Sequence, residues 1–444
     1  MTRLRAVWDR MRSTYWVVPS AMAAVAALVA LVMIDVDQAL TPKFLSRLTW
    51  VYTGGPEGAR AVLSTIAASM ITVAGVTFSI TIVALTLASQ QFGPRLLRNF
   101  LRDLGNQVTL GTFIATFIYC LLVLRTVRGT DDQQFVPHLA VTVGVVLAML
   151  SIGVLIFFIH HIATSIQASQ VIANVTGDLE AAIERLFPQP IGQDPAIVTG
   201  ARGPAAAAPT FDAARALEST RGGYVQAVDG ARLLTVAREA NLVVRIDAKP
   251  GRFVRPGSRL ATAVLASDPT DDLDDRLRDV FIIGPDRTGT QDLGFFVNQL
   301  VDLAVRALSP GINDPATACA CIDRLEQALC QIARRRLPSP YRYDDDGELR
   351  VVAPPVTFVD MLDLAFTEIT RYGRSSVSVS CRILEAVRDL APCVSAEGDR
   401  RALTRQAVFA GERPADAFAH DMDRIALAAS YRAALLALEG GHIR

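Results

Sequence analysis

The stretch AVLSTIAASMITVAGVTFSITIVALTLASQQ, Ala61 to Gln91, lies in an uncharged run between Arg60 and Arg95. A run this long and apolar is membrane-embedded, because about 20 apolar residues already span the hydrocarbon. Its small and hydroxyl residues are ordered. Steps of four and three from Ala61 meet Thr65, Ala68, Thr72, Gly75, Ser79, Ile82, Thr86 and Ser89, and only Ile82 is neither small nor hydroxylated. On a helix that spacing draws one continuous seam, the a and d positions of a heptad. Such a seam either lets another helix approach closely or lines a narrow polar path.

Outward from this segment, composition sets the frame. The chain has 444 residues, room for two or three domains, and its 44 basic and 44 acidic residues cancel. Balanced charge points to neither nucleic acid nor an acidic partner. The charges are nearly all outside four apolar blocks in the first third. Lys43 and Lys249 are the only lysines among the basic residues, a bias expected of a GC-rich bacterial genome. Cys120, Cys319, Cys321, Cys330, Cys381 and Cys393 sit in apolar or helical contexts and read as reduced thiols. The first apolar segment has no small-residue cleavage site, so no cleavable signal is expected.

The blocks predict four spans, at 17–34, 61–91, 108–124 and 139–162. Arg3, Arg5, Arg10 and Arg12 precede the first, and Arg95, Arg98 and Arg102 follow the second. The opposite side carries Lys43, Arg47, Arg60, Arg125 and Arg128 among several carboxylates. Seven against five places both termini in the cytoplasm of a bacterial inner membrane. The second span, at roughly 45 Å against roughly 30 Å of hydrocarbon, must tilt, kink near Gly75 or run on into the cytosol. Beyond Gly93-Pro94, Arg95, Arg98 and Arg102 share a stripe opposite Leu96, Leu97 and Phe100. This elbow suits either a helix in the headgroup layer or an arginine ring at a pore mouth. His160 and His161 close the fourth span and suit interfacial anchoring, or a titrating or liganding role with added partners. Adjacent helical residues diverge by about 100°, so the pair alone cannot chelate an ion.

The expected domains are a transmembrane part at 1–175, a helix end and linker at 176–210, a small β-rich module at 211–290 and an α-helical cytosolic part at 291–444. The fold class is thus a four-helix membrane bundle with an α+β cytosolic domain. In the β-module, Leu242 to Ile246, Pro250-Gly251, Pro256-Gly257 and Leu260 to Val264 predict strands joined by Pro-Gly turns. It resembles half of a lipoyl- or biotinyl-type barrel-sandwich, without the modified lysine. Asp268, Asp271, Asp272, Asp274, Asp275 and Asp279 suit a helix N-terminus and lack EF-hand spacing. Asp344 to Glu348 reads as an exposed hairpin turn. Helices follow from Gln291, with Ser309, Pro310, Gly311 and Asn313 as a break, Asp314 as the next N-cap and Pro315 in its first turn. Cys319 and Cys321 point to opposite sides of that helix, which argues against zinc. In the last helix, Ala426, Ala429, Ala433 and Ala437 predict a tight packing face.

Three motifs carry a family resemblance: Phe78-Ser79-Ile80-Thr81 through Gln91-Phe92-Gly93-Pro94-Arg95, Phe158-Ile159-His160-His161-Ile162, and Gln299-Leu300-Val301-Asp302 through Ala307-Leu308-Ser309-Pro310-Gly311-Ile312-Asn313-Asp314-Pro315. The chain resembles, over most of its length, a family of predicted bacterial membrane proteins defined by a domain of unknown function. That resemblance implies an N-terminal membrane bundle and a cytosolic domain, and no reaction.

Enzyme motifs are missing: no Walker loop, dinucleotide fingerprint, nucleophile elbow or zinc helix is present. Ion-coupled transporters usually carry intramembrane carboxylates or lysines, and the four predicted spans have none in their interiors. A channel needs only hydroxyls, carbonyls and hydrophobic gates. The expectation is therefore a homo-oligomeric channel-like protein for small ions without a cofactor or metal, or else a non-conducting sensor or scaffold.

Overall fold

The computed structural model describes residues 16–39, 52–92, 103–130, 133–186, 214–265, 272–335, 337–412 and 420–440. Arg95, Arg98 and Arg102, together with Asp268 and Asp271, lie outside the described residues. The chain forms two compact units that divide between Gln170 and Val171.

Among the described residues, the first unit holds four helices long and apolar enough to cross a membrane: α1 (Val17–Ala39), α2 (Pro56–Phe92), α3 (Leu104–Leu124) and α4 (His138–Ser165). Helices are the expected answer in lipid, where every backbone polar group needs a partner within its own segment. α3 is the most enclosed of the four. α1 packs against it where Gly111 leaves room; a Cβ there would lie 2.5 Å from Met22 Sδ and 3.2 Å from Pro19 Cα. Tyr119, Cys120 and Val123 of α3 meet Ala59, Leu63 and Ala67 of α2 and Ala140 and Val141 of α4 in one core. Two polar contacts fix α4 on α3: the Tyr119 hydroxyl donates to the Ala140 carbonyl at 2.9 Å, and the buried Thr116 and Ser151 hydroxyls meet at 3.2 Å.

α1 continues five residues past the expected span end at Ile34, and this last stretch carries Asp37. Its carboxylate, 6% exposed, accepts the backbone N–H groups of Leu139 at 3.0 Å and Ala140 at 2.8 Å. These are orphan donors of the first turn of α4, where the dipole also favours a negative charge. A short hairpin, β1 (Arg128–Thr130) with β2 (Gln133–Phe135), joins α3 to α4.

The boundary between the units falls within α5 (Ala168–Leu186), which ends inside the helix end and linker expected at 176–210. Its buried stripe of Val171, Ile172, Val175, Leu179, Ala182 and Ile183 has helical spacing. Glu180 accepts from Gln327 Nε2 at 2.7 Å, and Arg185 donates to the Gly289 carbonyl at 3.0 Å.

The β part comprises β3 (Arg215–Glu218), β4 (Gly223–Val228), helix α6 (Gly230–Glu239), β5 (Leu242–Ile246), β6 (Phe253–Val254), β7 (Arg259–Leu265), helix α7 (Leu273–Arg278) and β8 (Phe281–Gly284). Both Pro-Gly turns form. Gly251 and Gly257 take φ of +90° and +80°, and the turns close through Arg252 N to Lys249 O and Ser258 N to Arg255 O. That is the type II geometry, which needs glycine third. β5 pairs antiparallel with β7 across both turns, while the intervening β6 pairs with β4 in a second sheet.

The sheet also recruits distant chain. β9 (Tyr341–Tyr343) and β10 (Leu349–Val352) form a hairpin, and β10 pairs in parallel with β5, giving the order β3-β7-β5-β10-β9. The turn expected to be exposed therefore has an inward side. Asp344 is 3% exposed and accepts from Asp346 N at 3.1 Å, Glu348 N at 2.9 Å and Arg350 Nε at 2.6 Å.

The helical remainder runs α8 (Leu293–Ala307), α9 (Pro315–Ala333), α10 (Phe358–Tyr372), α11 (Val377–Leu390), α12 (Glu397–Gly411) and α13 (Asp421–Glu439). Thr357 and Asp360 close a capping box on α10, each side chain accepting the other's backbone N–H at 3.1 Å. Two expectations are corrected here. Cys330 in α9 and Cys393 in the turn after α11 are joined as a disulfide, with Cα atoms 5.7 Å apart, rather than standing as free thiols. In α13, Leu427, Ala434 and Leu438 are buried while Ala426 and Ala429 are exposed. The contact row is Leu427, Ala434 and Leu438, with Ala433 and Ala437 half-buried at its edge.

Burial alone would raise the Asp344 carboxyl, but the hydrogen bonds from Arg350 and from the Glu348 and Asp346 backbone hold it below the ordinary 3.8. A lowered carboxyl contributes stability that is complete above that ordinary value and is lost as the pH falls through the lowered one. Asp344→Ala leaves Arg350 without its buried partner. The expected loss is about 3 kcal/mol in denaturant unfolding at neutral pH, shrinking as the pH falls through the lowered value of the carboxyl.

Candidate functional site on the outer face of the second helix

α2 is unbroken from Pro56 to Phe92, with no break at Gly75. It has two opposite faces. Ala59, Leu63, Ala67, Met70, Ala74, Thr77, Ala84 and Ala88 are buried. Two residues advance a helix by about 200°, so the row that starts at Thr65 lies opposite the row that starts at Leu63. Thr65, Ala68, Thr72, Gly75, Ser79, Ile82 and Thr86 are all exposed, and Ser89 is half-buried. A Cβ added at Gly75 would meet nothing within 4 Å. The seam is therefore not what holds α2 to its own bundle. That work falls to the opposite row, legible in the sequence as Ala and Leu at the same spacing but less distinctive among other apolar residues.

The hydroxyls of the seam are partly satisfied at home. Thr65 donates to the Ala61 carbonyl at 2.7 Å, Thr72 to Ala68 at 2.8 Å and Thr86 to Ile82 at 2.9 Å. Each hydroxyl still has acceptor lone pairs to offer outward. Ile71, Val76, Phe78, Ile80, Val83 and Leu87 are exposed beside the seam. The outward faces of the neighbouring helices differ: α1 exposes Val25, Leu28 and Leu31, and α4 exposes Met149, Ile152, Ile156 and Ile159. Bulky aliphatic side chains of that kind suit contact with lipid. The small, hydroxylated seam contrasts with these bulky side chains.

The two histidines separate. His160 is exposed, whereas His161 Nε2 lies 2.5 Å from Asp103 Oδ2, and its ring stacks on Phe157 with centroids 5.3 Å apart. The other Asp103 oxygen accepts from Gly105 N at 2.9 Å, which makes Asp103 the N-cap of α3. One carboxylate thus ties the end of α4 to the start of α3. Sequence reading passed over Asp103, although an Asp just before an apolar helix is an N-cap signal. The arginine elbow falls outside the described residues.

At the opposite end of the bundle lies a polar cluster that the sequence did not single out. Beside Asp37, His138 Nδ1 is 2.8 Å from the Tyr52 carbonyl, Tyr52 N donates to Thr142 Oγ1 at 2.9 Å, and Arg60 donates to the Val127 carbonyl at 3.0 Å. All of these tie loops to helix ends.

The Ser309 to Pro315 motif is the connector from α8 to α9. Ile312 N and Asn313 N donate to the Ser309 carbonyl, Asp314 N returns to Ala307 O at 2.8 Å, and Asn313 takes a φ of +49°. Asp314 accepts from Thr317 N at 3.1 Å and from the Thr317 hydroxyl at 2.5 Å, and Pro315 occupies the first turn. The Thr317 hydroxyl, then its N–H, hold the Asp314 carboxyl below the ordinary range. These contacts make the motif a tight turn that ends α8 and caps α9.

Comparison with known proteins adds the following. A family model described as a predicted membrane protein (DUF2254) matches residues 12–389. An uncharacterized protein of Mycobacterium bovis and one of Mycobacterium tuberculosis are each 32% identical over 439 residues, covering 98% of this chain and 82% of theirs. No solved structure matches the chain.

The Asp103 contacts generate a test within the bundle. A Cβ at Gly105 would lie 2.6 Å from His161 Nε2, so a bulky residue there pushes the ring off the carboxylate. Gly105→Leu and Asp103→Ala are each expected to lower thermal stability in detergent. Loss of the cap in the second variant is worth about 1 kcal/mol by itself. His160→Ala, at an exposed position, is expected to leave the melting temperature in place.

Proposed function

We propose a function on the premise that the chain belongs to the DUF2254 family of predicted membrane proteins. It is a membrane protein whose four apolar helices precede a mixed, mostly helical domain. Our reading is an oligomeric channel-like protein that passes small ions passively and is regulated by its second unit. The observation that carries it is the outward row Thr65, Ala68, Thr72, Gly75, Ser79 and Thr86, small and hydroxylated on a surface otherwise rich in bulky aliphatic side chains. A face of that kind is poorly suited to lipid and well suited to a narrow path or a close helix contact.

One bundle of four helices leaves the row on its outside, so a path along it requires several copies arranged about a common axis. Thr65, Thr72, Ser79 and Thr86 then supply polar steps, and the flanking Ile71, Phe78 and Leu87 meet the neighbouring copy. The arginine balance of the loops supports a bacterial inner membrane with both termini cytoplasmic and the second unit in the cytosol. No catalytic role is part of this reading.

A second reading is a non-conducting sensor or scaffold. It is favoured by the hydroxyls of Thr65, Thr72 and Thr86, whose donors are spent on their own helix and need no water. In that case the row is an interface between copies and nothing passes.

Reconstitution in liposomes with ion-flux measurement separates the two. The channel reading expects flux from the wild-type chain and its loss in Ser79→Leu with the oligomer retained. Lack of flux across pH, membrane tension and divalent-ion conditions, or flux untouched by Ser79→Leu, sinks the channel. A stable monomer lacks the axis that a path along the row requires and sinks the channel.

A further inference from the structure

The α9–α11 seam of the second unit carries sulfur chemistry with no part in the proposed conduction. Cys319 and Cys330 lie on α9, Cys381 lies on α11 and Cys393 ends the one-turn 3-10 segment Ala391–Cys393 that follows it. Arg382 reaches from α11 to Asp323 and Glu326 of α9, and Cys393 reaches Cys330, so residue numbers rise together along the two helices. The helices are therefore parallel, and the disulfide sits at their C-terminal end. The Cα separation of 5.7 Å is within the ordinary span of a disulfide.

We propose that Cys330–Cys393 is a reversible thiol–disulfide switch that fastens and releases the turn after α11. Three observations support reversibility. First, both cysteines are only half-buried, and Cys393 lies in a short turn rather than inside a helix, so an external thiol can reach its sulfur. Second, the two helices have a clamp that contains no sulfur. Arg382 bridges Asp323 and Glu326, and Leu325, Leu329 and Ile332 of α9 and Leu384, Val387 and Leu390 of α11 are buried. The helices thus stay together when the disulfide opens. Third, the Asp389 carbonyl stands 3.8 Å from Cys393 Sγ, an acceptor in place for the thiol proton once the bond is cut.

The chemistry balances with a thiol reductant, such as a small monothiol of the glutathione class. Its thiolate attacks Cys393 Sγ, the Cys330–Cys393 bond breaks, and Cys330 leaves as a thiolate that takes a proton from solvent. A second reductant thiolate attacks the reductant sulfur of the mixed disulfide, and Cys393 leaves and is protonated. Two reductant thiols are oxidised to one disulfide, and two electrons and two protons end on Cys330 and Cys393. Reoxidation reverses each step. Cys319 and Cys381 stand near one another on the same two helices, but burial raises both thiols, which disfavours the reactive thiolate. They are spectators in this exchange.

The bond closes a loop with a sequence separation of 63 that includes β9, β10, α10 and α11. Opening it therefore frees the turn after α11, while the Arg382 clamp and the pairing of β10 with β5 hold the rest in place.

The test uses the full chain in detergent, equilibrated in oxidised or reduced glutathione, alkylated without unfolding and mapped by mass spectrometry. Alkylation of Cys330 and Cys393 is expected to rise together, by roughly tenfold or more, from the oxidised to the reduced buffer. Circular dichroism is expected to keep its helical signal. In Cys330→Ser, Cys393 is expected to be alkylated in the reduced buffer and recovered as its mixed disulfide with glutathione in the oxidised one, without a bond inside the chain; if that variant does not fold, the wild-type titration and Cys393→Ser carry the test. Equal labelling of the wild-type pair in both buffers, a bond that yields only after the protein is denatured, or loss of fold on reduction overturns the switch.

Discussion

Of the four apolar helices, α3 is the most enclosed. Its enclosure decides the rest of the membrane unit. Gly111 lets α1 come close, Tyr119 hydrogen-bonds into the first turn of α4, and Ala59, Leu63 and Ala67 of α2 lie in the same core. Once α2 spends its Leu63 row on α3, helical geometry turns the Thr65 row directly outward. The small hydroxyl face is thus displayed because a different face is used, which is why the question about function moves from the single chain to its neighbours.

The ends of the bundle obey a second constraint, that helix termini leave backbone groups without partners. Two aspartates meet it. Asp37 takes the donors of Leu139 and Ala140 at one end, and Asp103 caps α3 while holding His161 at the other. Both carboxylates sit at helix termini rather than mid-span, where an unpaired charge is costly. The same economy recurs in the second unit, where Asp314 and Asp344 each gather several donors in a turn.

Much of the chain is legible from local pattern. The four spans follow from hydropathy, the Pro-Gly turns from the φ that glycine allows, and the Asp314 cap with Pro315 from the chemistry of a helix start. What pattern misses is non-local. Asp344 looked like an exposed turn residue because nothing nearby in sequence says that β10 will lie beside β5 in parallel. Cys330 and Cys393 looked like separate thiols because their proximity depends on how α9 and α11 align. The alanines of α13 looked like a packing face, yet the larger Leu427 and Leu438 bury more apolar surface and set the rotation of the helix.

The seam shows where the division falls. Sequence alone determined that α2 is a long membrane helix and that Thr65, Ala68, Thr72, Gly75, Ser79 and Thr86 share one face, since both follow from composition and a period of 3.6 residues. Only the tertiary structure decided which way that face points. The direction depends on which of two competing rows packs better against α3, and that comparison of side-chain volumes is made in the assembled core, not along the chain.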